Sequence, residues 1–481
     1  MPHKVGTALC HPVREKERDC MEEFQKKSEK KIKTFVINEK TPLMLLAGPM
    51  FLEMFLNILV NNIDTIMLSN YSENAPGAVG NANQILMLMI LMFNIIATAT
   101  SVVVAQYLGA KQYDRMNTIY SLAFMVNLVS GVFFSVLIVA AKNPMLALLK
   151  VPENMRADAC VYINIVGGSL FLQAVYNVML QILRCNGYSK VGMYISVAIN
   201  VINIVGNYVF LYGPLAFLNL GVAGAAISTA VARVVALAAA MIYFYQKKVG
   251  KIQLSKLRPF PKNLLFRMIR VGLPSAGENM SYTIYQMVLL SFINQMGGDA
   301  SNTRALCNTL IAFAMVFSNS AAMATQIITG HLVGAGKEDA AYRRVFATLK
   351  LTLPITVGLA TVNWLISPWT MLIFKSNDTV IKLAFWVMFV DIFIEIGRCL
   401  NMTFVSSLKA AGDYMFPLIV GLLTMWLIGV PMGYIWGNVI GFGLAGVFMG
   451  TAFDECIRGL ITMGRWHSRK WTGKRLVEED K

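Results

Sequence analysis

Twelve apolar runs, each long enough to cross a bilayer and separated by short polar islands, constrain this chain more than any other feature. They lie at about 43–68, 84–107, 119–140, 160–182, 191–212, 221–245, 266–293, 305–333, 346–368, 381–403, 415–437 and 442–463. Runs of ~20 apolar residues match a hydrocarbon core of ~30 Å, inside which a helix satisfies all its own backbone polar groups. The expected fold class is therefore an all-α integral membrane protein with twelve transmembrane helices. Composition agrees: of 481 residues, 56% are hydrophobic and 14% charged, against about 25% charged in soluble domains. That balance excludes a water-soluble enzyme of this size. The polar head before Leu43 holds no apolar core of signal-peptide length, so the first span is expected to be retained. His3, Cys10, His11 and Cys20 in that head lack the spacing of a zinc site, and the seven cysteines form no disulfide framework.

The net charge of +16 could suggest nucleic acid, but its placement explains it otherwise. With twelve spans, both termini and five of the connections share one side. Thirty Lys and Arg fall there, against five on the other side: Lys142, Lys150, Arg156, Arg304 and Lys375. The positive-inside rule then puts both termini in the cytoplasm, with a lipid bilayer and no nucleic acid as partner. The basic tail from Arg465 to Arg475 is expected to lie on anionic lipid.

An internal repeat organises the spans. Adding 225 to a residue number carries Pro49 to Pro274, Glu53 to Glu278, Asn94 to Asn319, Thr100 to Thr325, Gly109 to Gly334 and Gly187 to Gly412. Later the offset becomes 222, carrying Gly221 to Gly443, Gly224 to Gly446 and Thr229 to Thr451. Six spans per repeat make the halves parallel, so two six-helix lobes are expected, related by a pseudo-two-fold axis along the membrane normal. The division reads as a polar head at 1–40, an N-lobe at 41–245, a cytoplasmic linker at 246–263, a C-lobe at 264–463 and a basic tail at 464–481. Two rocking lobes around a central cavity are the architecture of a secondary transporter.

Ionisable groups inside spans are costly and mark pathways or relays. In the first span Glu53, Asn57, Asn61 and Asp64 share one face, with Glu53 and Asp64 about 16 Å apart along the axis. Glu53 and Asp64 are candidate cation-coupling residues. The fifth span puts Asn200, Asn203 and Asn207 on one face, and the seventh does the same with Glu278, Tyr282, Tyr285 and Gln286. In the tenth, Asp391, Glu395 and Arg398 align and could satisfy one another. Glu278, Tyr282, Asp391, Glu395 and Arg398 are candidates for the substrate cavity. Pro49 and Pro274 lie within spans, where a missing N–H permits a kink. No Walker A sequence, His-Glu-x-x-His or paired-Asp metal motif occurs, so neither an enzyme nor an ATP-driven pump is expected.

Pro49 followed by Asp64-Thr65-Ile66-Met67, then Gln106-Tyr107-Leu108-Gly109-Ala110-Lys111, Leu183-Arg184-x-x-Gly187, Asn203-x-x-x-Asn207 and Gly221-Val222-Ala223-Gly224, resembles the multidrug and toxic compound extrusion (MATE) family. The second half answers with His331-Leu332-Val333-Gly334-Ala335-Gly336 and Leu408-Lys409-x-x-Gly412-Asp413. The resemblance implies export of organic cations and amphipathic compounds by antiport with protons or sodium ions, without a cofactor. Position by position it implies a cation site at Asp64, with Asn203, Asn207 and Thr229 around it, where a sodium ion could sit. Asn207 stands where the family often has Asp, and Tyr282 and Arg398 stand where its sodium-coupled branch has acids. A monomer in a bacterial plasma membrane is the expected setting. The alternative within the superfamily is a flippase for a lipid-linked precursor, which would need several basic side chains lining the cavity.

Overall fold

The computed structural model describes residues 37–72, 74–214, 220–374 and 376–477, so His3, Cys10, His11, Cys20 and most of the polar head lie outside the described residues. Among the described residues the chain forms twelve long helical rods and no strand. The first six are α1 (Leu43–Tyr71), α2 (Ala75–Gly109), α3 (Tyr113–Leu148), α4 (Glu153–Gly167 continuing as Leu170–Cys185), α5 (Ser189–Leu211) and α6 (Val222–Gln246). The second six are α7 (Lys262–Asn294), α8 (Gly298–Gly334), α9 (Glu338–Ile373), α10 (Asp378–Ala410), α11 (Met415–Val439) and α12 (Gly443–His467). Eight of the rods are long and apolar enough to span a membrane by composition alone, and α4 is a ninth when its two halves count together. The other three, α7, α10 and α12, are diluted by the ionisable side chains described below.

Each rod coincides with one apolar run, extended by polar turns at its ends. α1 and α7 stay helical through Pro49 and Pro274. A break falls in α4, where the halves meet at 45° after a π-helical segment, Ile163–Gly167. A π-helical turn frees backbone carbonyls from the regular ladder, and the buried Arg233 of α6 takes one of them. Its Nη1 donates to Val166 O at 2.7 Å and to Ser169 Oγ at 3.0 Å.

The buried side chains show how the two halves of the chain meet. One apolar core holds Leu68, Ala78, Ile85, Ile138, Ile163 and Val222, all from α1–α6. A second holds Tyr285, Leu289, Cys307, Met371, Val387 and Leu444, all from α7–α12. The third draws on both halves, with Val103, Val104 and Leu183 beside Ala324, Ile328, Phe404 and Trp466. Two lobes therefore have separate cores at one end and a common core at the other. The common end is the end of α2 and α8 that carries residues 468–477. Further along α1 and α8, Phe51 packs edge-on to Phe317 with centroids 6.0 Å apart, and Phe55 lies 5.6 Å from Phe313. Large apolar side chains such as Phe133, Met287, Ile373 and Trp386 are left exposed, as lipid-facing residues are.

Two features differ from the expectations. Arg184 and Lys409, which the boundaries place in basic connections, belong to the ends of α4 and α10, Arg184 buried and Lys409 half-buried, each paired with an acid. The basic stretch from Arg465 on does not present its tryptophans to lipid. Trp466 and Trp471 are buried and stacked at 4.1 Å, and residues 468–477 fold back onto the protein. An indole that can stack on another and donate from Nε1 to a carbonyl, as Trp471 does to Trp466 O at 3.0 Å, gains more from the protein than from the headgroup layer.

Candidate functional site

The polar stripe of α1 meets the polar stripe of α5 position by position. Glu53 Oε2 accepts from Arg184 Nη2 at 2.7 Å and lies against Gly192 at the start of α5. One turn on, Asn57 Oδ1 accepts from Ser196 Oγ at 3.0 Å and from Asn200 Nδ2 at 3.2 Å. The side chain of Asn61 is outside the described residues. Asp64 Oδ1 accepts from Asn207 Nδ2 at 2.8 Å. The hydrogen-bond network orients the Asn203 amide with its nitrogen 2.9 Å from both carboxylate oxygens of Asp64, and its oxygen then accepts from Thr229 Oγ1 at 3.2 Å.

Small residues bring these groups together. A Cβ on Gly206 would lie 2.2 Å from Ser228 Oγ, so α5 and α6 touch there, and Ser228 Oγ donates to Asn203 O at 2.9 Å. Thr229 is thereby held next to Asn203. The result is a half-buried carboxyl ringed by two amides and a hydroxyl, with no basic partner among the described residues. Asn207 Oδ1 is buried without a partner, an acceptor with unused lone pairs beside the carboxyl. Oxygens of a carboxylate, two amides and a hydroxyl are the donor set that suits a proton or a hard cation such as sodium. The two α1 acids thus sit in different settings: Glu53 is tied to Arg184, and Asp64 faces only neutral groups.

The C-lobe gathers charge more densely. Glu278 of α7 lies 2.7 Å from Lys409 Nζ of α10. This ion pair is the repeat of Glu53–Arg184, since 225 carries Glu53 to Glu278 and Arg184 to Lys409. On α10, Arg398 pairs with Glu395, and Asp391 is fully buried with neither carboxyl oxygen bonded. On α12, which the sequence reading does not single out, Asp454 pairs with Arg458, and Glu455 Oε2 accepts from Asn401 Nδ2 at 2.8 Å. Close packing explains the juxtaposition: a Cβ on Gly397 would be 2.5 Å from the Cys456 backbone, so α10 and α12 run at backbone contact. Tyr282 of α7 lies against this network, close enough to Arg398 and Glu455 to interact electrostatically. Gly421 of α11 connects it to the ion pair, its Cβ position being 3.7 Å from Glu278 Cγ and 3.8 Å from Arg458 Nη1. Glu278, Tyr282, Asp391, Glu395 and Arg398 are thus brought into one region. Asp64, Asn203, Asn207 and Thr229 form another, in the other lobe. The signal for α12 was readable as Asp454-Glu455-x-x-Arg458, an acid and an Arg one turn apart inside an apolar run.

Among the described residues the buried bases are engaged: Arg184, Arg398, Lys409 and Arg458 face acids, Arg233 caps the first half of α4, and Arg267 donates to Tyr107 Oη and Leu476 O. That arrangement does not suit a pyrophosphate and gives the flippase reading no support.

The chain is similar to known proteins over most of its length. The MatE family model matches residues 49–209 and 274–435, two segments whose starting points differ by the repeat offset. "Uncharacterized transporter YisQ" of Bacillus subtilis (strain 168) is 35% identical over 435 residues, covering 90% of this chain and 96% of the relative. The "Probable multidrug resistance protein NorM" of Thermotoga maritima is 24% identical, covering 93% of this chain and 98% of its own length. Among solved structures, one described as the outward-facing conformation of a multidrug resistance MATE family transporter of the MOP superfamily superimposes with a TM-score of 0.83. It is 21% identical and covers 90% of this chain and 96% of that one, a likeness of fold. A chain that matches the MatE family in both of its halves, at the spacing of its own internal repeat, and folds as two lobes of six membrane-spanning helices belongs to the MATE family: it is a multi-pass membrane transporter and not an enzyme.

Proposed function

We propose that this protein exports organic cations and other amphipathic compounds in exchange for protons, with Asp64 as the residue that takes up the coupling ion. The observation that carries the reading is the setting of Asp64: a carboxyl inside a span, bonded only to Asn203 and Asn207 and to no base among the described residues. A buried carboxyl of that kind holds a proton or a cation more readily than one locked to an arginine, as Glu53 is. Protonation would reverse the bonding demand of the site. The carboxylate only accepts, and the two amides present nitrogens to it; the neutral acid must donate, and Asn207 Oδ1 or a turned Asn203 amide would receive it. A sodium ion would require both amides to turn their oxygens inward, which makes it the second reading for the coupling ion.

The C-lobe network supports the same chemistry. Glu278, Asp391, Glu395, Asp454 and Glu455 are five carboxyls against three bases, Arg398, Lys409 and Arg458. Two carboxyls in excess within a membrane domain favour protons or cations bound there in part of the cycle. The coupling follows from differential affinity: loading of Asp64 from outside weakens substrate binding and promotes release, and unloading on the inside restores it. The positive-inside distribution of Lys and Arg supports cytoplasmic termini.

Purified protein in liposomes, loaded with ethidium and given proton and sodium gradients separately, tests the reading. Efflux should follow the proton gradient and vanish in Asp64→Asn. Efflux at the wild-type rate in Asp64→Asn overturns the assignment of Asp64, and a strict sodium requirement replaces the proton by sodium.

A further inference from the structure

We infer that the chain segment after α12, residues 468–477, is a strap that ties the lobes together at their common end and must leave before the transporter can open there. The inference rests on the reading of the protein as an alternating-access exporter. Its observations are independent of the ion site.

The lobes are fused at this end by a pseudo-symmetric pair of contacts. Gln106 of α2 donates from Nε2 to Ala410 O of the C-lobe at 2.6 Å. His331 of α8, the residue that the offset of 225 assigns to Gln106, lies with Nε2 2.8 Å from Cys185 O of the N-lobe, and Cys185 is the counterpart of Ala410. Beside them, a Cβ on Gly109 would lie 2.0 Å from His331 O, and one on Gly334 would lie 2.0 Å from Gln106 O. Opening at this end breaks both halves of this seam.

The strap lies over one side of the seam and touches both lobes. Its root is fixed to the C-lobe by Arg469 on Asp339 at 2.6 Å, by Gly473 N donating to Glu338 Oε1 at 3.1 Å, and by Lys474 Nζ on Asp413 Oδ1 at 2.8 Å. Asp413 is shared with Arg465 Nε at 2.9 Å. The far end reaches the N-lobe: Leu476 N donates to Gln106 Oε1 at 2.6 Å, so one glutamine holds Ala410 with its nitrogen and the strap with its oxygen. Leu476 O accepts from Arg267 Nη1 at 2.6 Å, and the same nitrogen lies 2.9 Å from Tyr107 Oη of the N-lobe. The Leu476 side chain packs on Ala99 and Val102 of α2 and on Val271 and Tyr414 of the C-lobe, seated where the lobes meet. A segment rooted in one lobe and bonded to the other cannot follow both when they separate. The strap therefore stabilises the state closed at this end, and its release sets how readily the opposite state forms.

The test measures the distance between the lobes directly and needs neither gradient nor substrate. Spin labels are placed at the exposed Lys190 of the N-lobe and Lys337 of the C-lobe, in full-length protein in nanodiscs with the other labelling sites removed. Leu476→Pro deletes the N–H donated to Gln106 together with the leucine side chain. Lys474→Glu sets a like charge against Asp413, and Lys474→Arg keeps the pairing. Both disruptive variants should raise the long-distance, opened population by about tenfold over wild type, and Lys474→Arg should not. Monodisperse elution of each variant shows that the fold is kept. A distance distribution unchanged from wild type in either disruptive variant overturns the strap. Failure of Asp64 as the coupling residue would leave this result untouched.

Discussion

The two lobes share a backbone plan and differ in where they place charge. The offset of 225 carries Asp64 of the N-lobe to Leu289, which is buried in the C-lobe core. In reverse, Asp391 and Glu395 fall on Val166 and Leu170, and with the later offset of 222 Asp454 and Arg458 fall on Ala232 and Ala236. Among the described residues the ion pair Glu53–Arg184 alone is duplicated, as Glu278–Lys409. At these five positions one lobe is thus apolar where the other is charged. A pair kept in both copies, at the lobe end where α1 meets α4 and α7 meets α10, behaves as part of the scaffold. Groups present in one copy only, and lacking full partners, are where the lobes have acquired separate tasks.

The largest effect should come from forcing the lobes to be alike. Leu289→Asp puts an unpaired carboxyl into the closed C-lobe core and should cost about 3–5 kcal/mol or prevent insertion, read by thermal unfolding of the detergent-purified protein. A Leu289→Asp protein as stable as wild type would show that the C-lobe position is already wet and that the contrast is false. Next, Arg398→Met leaves Glu395 without its partner on α10 and should destabilise by about 3 kcal/mol, less at low pH where the acid is protonated. Melting temperatures across a pH series check it; a loss independent of pH would mean that packing, not charge, is what Arg398 supplies.

The duplicated pair gives a smaller and matched effect. Arg184→Met and Lys409→Met should each cost about 2–3 kcal/mol, while Glu53→Gln with Arg184→Gln should recover most of the loss. Strongly unequal costs in the two lobes, or full loss of transport with stability unchanged, would remove the scaffold role. Smallest of all, Thr229→Val removes the hydroxyl that fixes the Asn203 amide and should leave stability within about 1 kcal/mol of wild type. Half-maximal proton concentration for efflux should then shift by about two- to fivefold. The same substitution at its repeat position, Thr451→Val, should leave that concentration unchanged, and an equal shift there would erase the distinction between the lobes.

Much of this architecture was legible from the chain alone because membrane insertion converts hydropathy directly into topology. The twelve rods, the two halves and the polar faces of α1 and α5 follow from apolar run length, a constant offset and helical periodicity. What escaped reading are contacts between residues far apart in the chain. Arg184 stands three residues before Gly187 at the edge of an apolar run and reads as a loop charge; only the meeting of α4 with α1 reveals it as the partner of Glu53. Gln106 and His331 read as polar span ends, and their backbone partners in the opposite lobe carry no side-chain signature at all. The Asp64 site occupies the middle ground. Its members lie on polar faces that periodicity exposes, while the orientation of each amide depends on the packing of Gly206 against Ser228.

The glycine pair at the seam has a mechanical meaning. Gly109 and Gly334 each leave room for an opposing carbonyl and nothing else, at equivalent points on either side of the pseudo-two-fold axis. A single methyl group at either one is a shim of fixed thickness, driven between the lobes from one side or the other. The two alanine variants would tilt the same joint in opposite senses without altering any charge. The protein thus carries, in two atoms it lacks, a built-in gauge of how flush its halves must sit.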